Sequence, residues 1–206
     1  MRSVHQDQSR DPVSMPASPV RGTQRAVAAA RTREALIAAG FRLAEDTPLQ
    51  KLSANVVVAE AGVSKGTFFH HFPTRADYLV ALHGSFHDRL EQEIVAVIGA
   101  LPPGTDRLIA GSVVYLDVCL RDRGVRALLA EARAEPGVVA AVQQRSERTA
   151  ELCVADFEQL AATQPRESAR LWVRLVAEVA LLEVAAGGRV DTLRIALTEF
   201  VRRPRP

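Results

Sequence analysis

The sequence predicts an all-α protein, and three observations lead there. Apolar residues recur at three- and four-residue spacings through nearly the whole chain from residue 25, the period of a helix that buries one face. Alanine is abundant, and the alternation of β-branched residues that marks a strand is absent. The periodic segments are separated by Pro and Gly signals such as Asp46-Thr47-Pro48, Leu101-Pro102-Pro103-Gly104, Pro136-Gly137 and Gly187-Gly188.

Residues 1–24, rich in Pro, Ser, Gln and Arg, predict a disordered tail. A first helix is expected over 25–45, with Leu36, Ile37, Phe41 and Ala44 on one face. Ser53 caps a second helix at 54–61, and Ser64 caps a third at 65–71. Pro73 closes the third, because the residue before a proline is pushed out of the helical region. Thr74, with Asp77 three residues on, has the form of a capping box and opens a helix running to about Ile98. Further helices fall at about 105–121, 124–134, 138–162, 166–186 and 190–202. After Ala169 the helix at 166–186 is apolar almost all round, interrupted by Arg170, Arg174, Glu178 and Glu183. Such a helix is expected to be covered on two sides, by its own core and by a second copy of the chain. Val176 and Val179 on it, with Leu193, Leu197 and Phe200 on 190–202, are the candidate dimer contacts.

A chain of 206 residues, 48% apolar and 24% charged, suits one sizeable core or a small module fused to a larger one. No apolar run reaches the roughly 18 residues of a membrane span, and the first residues lack the hydrophobic stretch of a secretory signal. A cytoplasmic, nucleoid-associated protein without a membrane partner is expected. Cys119 and Cys153, far apart and outside any CxxC spacing, read as reduced thiols. There is no phosphate loop, nucleophile elbow or HExxH, and Glu91 and Glu93 lie on different helix faces. Neither enzymatic activity nor a cofactor is therefore expected. His83 and His87 share a helix face as half of a possible metal site. No cysteine or carboxylate cluster completes it, so no metal is assigned and the pair reads as surface or interdomain.

The small net charge of +2 hides an asymmetry. Residues 1–75 carry 10 Lys/Arg against 6 Asp/Glu, a net +4, whereas residues 76–206 carry 16 against 18, a net −2. The basic end is the candidate for a polyanion partner. Within it, two short helices joined through Gly62 have the form of a helix-turn-helix, whose second helix can enter a DNA major groove. That helix begins with Lys65, one of only two lysines in the chain. Gly66 weakens its first turn by up to about 1 kcal/mol relative to alanine but permits close approach to a phosphate backbone. At a helix N-terminus already suited to anions, Lys65 supplies charge and Thr67 a hydroxyl; His70 and His71 add donors near the far end, and Arg75 a cation at the start of the next helix.

The stretch "SANVVVAEAGVSKGTFFHHFPTRADYLVAL" resembles the DNA-binding signature of TetR-type transcriptional regulators, with a close match over about residues 32–82. The resemblance implies that Lys65, Thr67 and His70 contact DNA and that Ser53 caps the second helix and can donate to phosphate. Asn55 stands where a polar or basic residue can reach DNA. Arg75 replaces a more usual lysine and His71 a frequent tyrosine. Phe69 departs from the pattern, since a tyrosine is common there and its hydroxyl contact is lost, leaving a ring that can only pack.

The implied architecture is an N-terminal three-helix helix-turn-helix domain (25–82, motif 53–72) after the tail (1–24). A larger helical ligand-binding and dimerisation domain (83–206) follows. The expected function is a homodimeric repressor released from a palindromic double-stranded operator by a small-molecule effector, with the helix from Thr74 to about Ile98 as the lever. A ligand-independent regulator or activator of the same fold is one alternative; a carrier or enzyme with a vestigial helix-turn-helix is another. Tyr115, Cys119 and Trp172 are the candidate ligand contacts.

Overall fold

The computed structural model describes residues 19–202, so most of the expected N-terminal tail lies outside the described residues. Among the described residues all regular structure is helical: α1 Pro19–Leu43, α2 Ala54–Ala61, α3 Lys65–His71, α4 Arg75–Ile98, α5 Thr105–Arg121, α6 Arg123–Glu131, α7 Pro136–Gln159, α8 Pro165–Ala185 and α9 Asp191–Arg202. Two single 3₁₀ turns, Leu49–Lys51 and Ala132–Ala134, precede α2 and α7. Helix α1 starts at Pro19, six residues before its expected start. Residues 19–34 and residues 35–202 fall in two separate compact units. The first holds the exposed leading part of α1, and everything described below lies in the second.

The caps carry out what their residue types dictate. The Ser53 hydroxyl accepts from the Val56 N–H at 3.4 Å, and the Ser64 hydroxyl from the Thr67 N–H at 3.1 Å. Thr74 and Asp77 exchange both capping-box bonds, at 3.1 and 2.9 Å. Gly62 ends α2 in the left-handed region, at φ 67°, where its N–H bonds back to the Val58 carbonyl.

The core around α2 and α3 is aromatic. Phe68, Phe72 and Tyr78 are buried with ring centroids 5.1–5.6 Å apart. The Tyr78 hydroxyl donates to the Leu36 carbonyl at 2.9 Å. A side chain at Gly40 would collide with the Tyr78 hydroxyl, so α1 and α4 approach this closely only because position 40 has no Cβ. Beyond this core, α5 and α7–α9 form the helical body with the later part of α4, around Phe86, Leu90, Leu108, Leu116, Phe157, Trp172 and Val176.

Helix α9 is tied to that body by charge. Glu183, fully buried, accepts from Arg194 at 2.8 and 2.9 Å and from the Val190 N–H at 3.0 Å. Arg194 also reaches Asp117 on α5 at 2.5 Å. Removing one member of a buried pair leaves the other without compensation. Glu183→Ala should therefore lower unfolding free energy by roughly 3–5 kcal/mol, measured by denaturant titration, and α9 amides should lose hydrogen-exchange protection first.

Candidate functional site

Helix α3 buries one residue, Phe68, and turns the others outward. Lys65, Gly66, Phe69 and His70 are exposed, while Thr67 and His71 are half-buried. Ser53 and Asn55 are exposed at the start of α2. The Thr67 hydroxyl lies 2.8 Å from that of Ser64, which fixes its direction. Phe69 is 43% exposed, edge-on to Phe68 at 5.3 Å. Its neighbour Phe68 points inward, so on a two-turn helix the next residue faces out. Phe69 thus presents an apolar ring on the outward face of α3 rather than filling the core. A Cβ at Gly66 would meet nothing closer than the Ser64 hydroxyl, at 3.8 Å. Nothing inside the protein requires a glycine there.

Arg75, expected to offer its cation to phosphate, is half-buried and has partners within the protein. It donates to the carbonyls of Leu52 at 2.9 Å and Leu49 at 2.6 Å, and to Glu135 at 3.1 Å. The Leu49 carbonyl also accepts from the Leu52 N–H at 3.1 Å, and the planar five-donor fork of arginine reaches it and the Leu52 carbonyl together.

The helical body holds a cavity of about 110 Å³. Its apolar wall includes Ile94, Ile98, Leu108, Val142, Val173 and Val176, and Tyr115 and Trp172 also line it. Two of the three candidate ligand residues are thus on the wall. The third, Cys119, is fully buried but does not line it. Both cysteines are free. The polar wall was not legible in the sequence: Arg107, Arg133, Arg145, Asp156, His83 and His87. Arg107 clasps buried Asp156 at 2.6 and 2.8 Å. Arg145 pairs with Glu91 at 2.6 Å and with Asp88.

The surface or interdomain reading of the two histidines also needs correction, because α4 carries both into this cavity, ring centroids 4.3 Å apart. No cluster of three or more metal-binding side chains occurs among the described residues. Burial, then the fields of Arg145, Arg126 and Arg133, lowers His83 to about 4. Burial, then His83 and the same arginines, holds His87 well below its ordinary range. Both are neutral at pH 7.

One short segment touches both regions. At the start of α6, a Cβ on Gly124 would lie 2.6 Å from the Ala44 carbonyl oxygen, so this helix abuts the end of α1. Glu131 accepts from Gln50 at 3.3 Å and Glu135 from Arg75. The same segment carries Arg126 and Arg133 toward the cavity.

The dimer candidates are redistributed. Val176, Val179 and Leu197 are at most 6% exposed within one chain, and Leu193 is half-buried. They face the inner side of α8 and α9, which one protomer's own core covers. Phe200 stays 64% exposed, and the other apolar side chains open to solvent on these helices are Leu171, Leu182 and Ile195.

A helix-turn-helix with an exposed reading face, beside a helical body with its own cavity, defines a DNA-binding transcription regulator. Residues 36–82 match the family model of the bacterial regulatory proteins of the tetR family. The whole fold is similar to that of a transcriptional regulator from Rhodococcus sp. Rha1, with TM-score 0.71, 23% identity, and 82% of this chain and 93% of that one covered. It is also similar to the multidrug binding protein EbrR complexed with imidazole, with TM-score 0.68, 22% identity and coverage of 84% and 96%. A third similar structure, from Saccharomonospora viridis, is in complex with choline, with TM-score 0.66, 18% identity and coverage of 84% and 97%. No curated protein matches the sequence. No helix among the described residues is long and apolar enough to cross a membrane.

Two predictions arise from this geometry. Gly66→Ala should leave stability unchanged or raise it, by up to about 1 kcal/mol, yet weaken operator binding by tenfold or more if a DNA backbone approaches that position. Thermal melts and band retardation separate the two effects. Second, a histidine whose folded pKa is depressed binds its proton more readily when unfolded. Stability is then fully present above about pH 6.5 and is lost as pH falls toward 4. Unfolding free energy should drop by about 1 kcal/mol per histidine by pH 5.5, and His83→Gln should flatten that slope.

Proposed function

We propose that the protein is a homodimeric repressor, released from a palindromic double-stranded DNA operator by a small molecule that binds the cavity of the helical body. Lys65, Gly66, Thr67, Phe69, His70 and His71 on α3 meet the major groove, and Ser53 and Asn55 at the start of α2 meet flanking phosphate. Arg75 shapes the module instead of touching DNA. The observation that carries the reading is one helix shared by two jobs. The first turns of α4 place Tyr78 and Leu79 in the core under α3, and its later turns place His83, His87, Ile94 and Ile98 at the cavity. A ligand that changes the position of α4 therefore changes the seat of the reading helix. The segment from Gly124 to Glu135 offers a second mechanical link between the same regions.

The mechanism is a population shift. Ligand binds one geometry of the body better than another, and the geometry it favours spaces the two reading helices wrongly for successive major grooves. Couplings of this kind are typically about 1–3 kcal/mol. The two similar structures solved with imidazole and with choline support a small-molecule site in this fold.

The dimer is proposed to form through the exposed apolar side chains of α8 and α9, Leu171, Leu182, Ile195 and Phe200, packed against their symmetry mates about a two-fold axis. The operator then has two half-sites related by the same axis, with centres about one helical turn, or a multiple of it, apart.

Sedimentation and footprinting test this together. The wild type should sediment as a dimer at micromolar concentration and protect two symmetric half-sites. Leu182→Arg with Phe200→Arg should raise the dimer dissociation constant by about tenfold or more, about 1.4 kcal/mol, and abolish specific binding with α3 untouched. A monomeric wild type, or protection of a single asymmetric half-site, would refute the model. Retardation that no small molecule relieves would favour a ligand-independent regulator of the same fold.

A further inference from the structure

The cavity holds more positive charge than its carboxylates answer. Arg107 is matched by Asp156, and Arg145 by Asp88 and Glu91. Arg133 lines the cavity and has no ion pair or hydrogen bond among the described residues. The carboxylate whose field reaches it, Glu178, is offset by Arg126 and Arg174. Arg126 is 2% exposed. One of its terminal nitrogens donates to the carbonyl of Ala177, a wall residue, at 3.4 Å, and its Nε has no partner. Its polar neighbours cannot supply a counter-charge at neutral pH, because burial pushes the Tyr115 phenol up to about 12 and raises the Cys119 thiol. His83 and His87 are neutral there. One guanidinium on the wall of a largely apolar cavity, and one buried behind that wall, thus stand without counter-ions, an arrangement that is costly until an anion arrives.

We propose that the cavity takes a carboxylate-bearing apolar molecule, its head group on Arg133 with Arg126 behind it, and its body along Ile94, Leu108, Val173 and Trp172. The proposal rests on reading this cavity as the effector site. A carboxylate matches the guanidinium fork in two parallel hydrogen bonds, and the low local dielectric strengthens both. A neutral ligand of the same shape leaves Arg126 and Arg133 unanswered, and a cation meets their repulsion. Because Arg126 and Arg133 both lie in the segment that abuts the end of α1 and holds Arg75, the anion would draw on the element that touches the DNA-binding module.

Trp172 is the chain's single tryptophan and lines the cavity, so its fluorescence reports occupancy. Titration at neutral pH with 3-phenylpropionate, 3-phenylpropanamide and 3-phenylpropylamine compares one apolar body under three head groups. The carboxylate should bind at least about tenfold more tightly than the amide, with the amine weakest. Arg133→Gln should bring the carboxylate down to the amide while the amide's own affinity holds. Arg126→Gln should do the same, with thermal melts confirming that both variants fold. Equal or tighter binding of the amine, a preference that survives Arg133→Gln, or no response to any of the three at millimolar concentration would overturn the proposal. Operator retardation with and without 3-phenylpropionate separates the underlying reading. Binding without release would leave the anion site standing and refute its role as effector site.

Discussion

Helix α3 contributes seven residues, too few to persist in water, and it stands because Phe68 and Phe72 close against Tyr78. That aromatic contact, with the Ser64 cap at the other end, sets where Lys65 and His70 point. It also explains why the neighbourhood is built so tightly. Tyr78 reaches the Leu36 carbonyl across the position where Gly40 has no side chain, and the Thr74–Asp77 capping box fixes the helix that presents Tyr78. The exposed face of α3 is thus held from behind by an apolar contact, and its outward residues are free to differ without costing the fold.

The protein treats buried charge in two ways. Glu183 with Arg194, and Asp156 with Arg107, are complete: each carboxylate is almost wholly buried and accepts at least three hydrogen bonds. They fasten α9 to α8 and the start of α5 to α7. Arg126 and Arg133 are incomplete, and they lie around the cavity. Closed pairs at structural joints and open charges at a cavity are what separate a scaffold from a site, because only the open charges can gain by binding something else.

Arg75 shows how position changes the meaning of a residue type. In a basic N-terminal segment an arginine just after the reading helix suits phosphate. Its guanidinium also donates to the carbonyls of Leu49 and Leu52 and meets Glu135, 60 residues away in sequence. That residue becomes a strut between the DNA-binding module and the helical body, where Gly124 and the Gln50–Glu131 bond also join them.

Helix boundaries from α2 to α5, the three N-caps, the left-handed turn at Gly62 and the outward face of α3 could all be read from the sequence. They depend on neighbours within four residues, and local chemistry decides them. The same holds for the family resemblance, which a continuous stretch carries. What only the tertiary structure decided are the faces chosen when two sides of a helix are both apolar. Val176, Val179 and Leu197 went inward and Leu171, Leu182 and Phe200 outward, because α5 and α7 cover one side of α8 and periodicity alone cannot say which. Arg126 was invisible for a related reason. Arginine is exposed by default, and its burial in the run Val125–Leu129 depends on the neighbouring α5 and on α4 and α8, which are distant in sequence. The cavity itself, assembled from α4, α5, α7, α8 and the turn at Arg133, has no local signature, because a cavity is a property of how helices fail to fill the space between them.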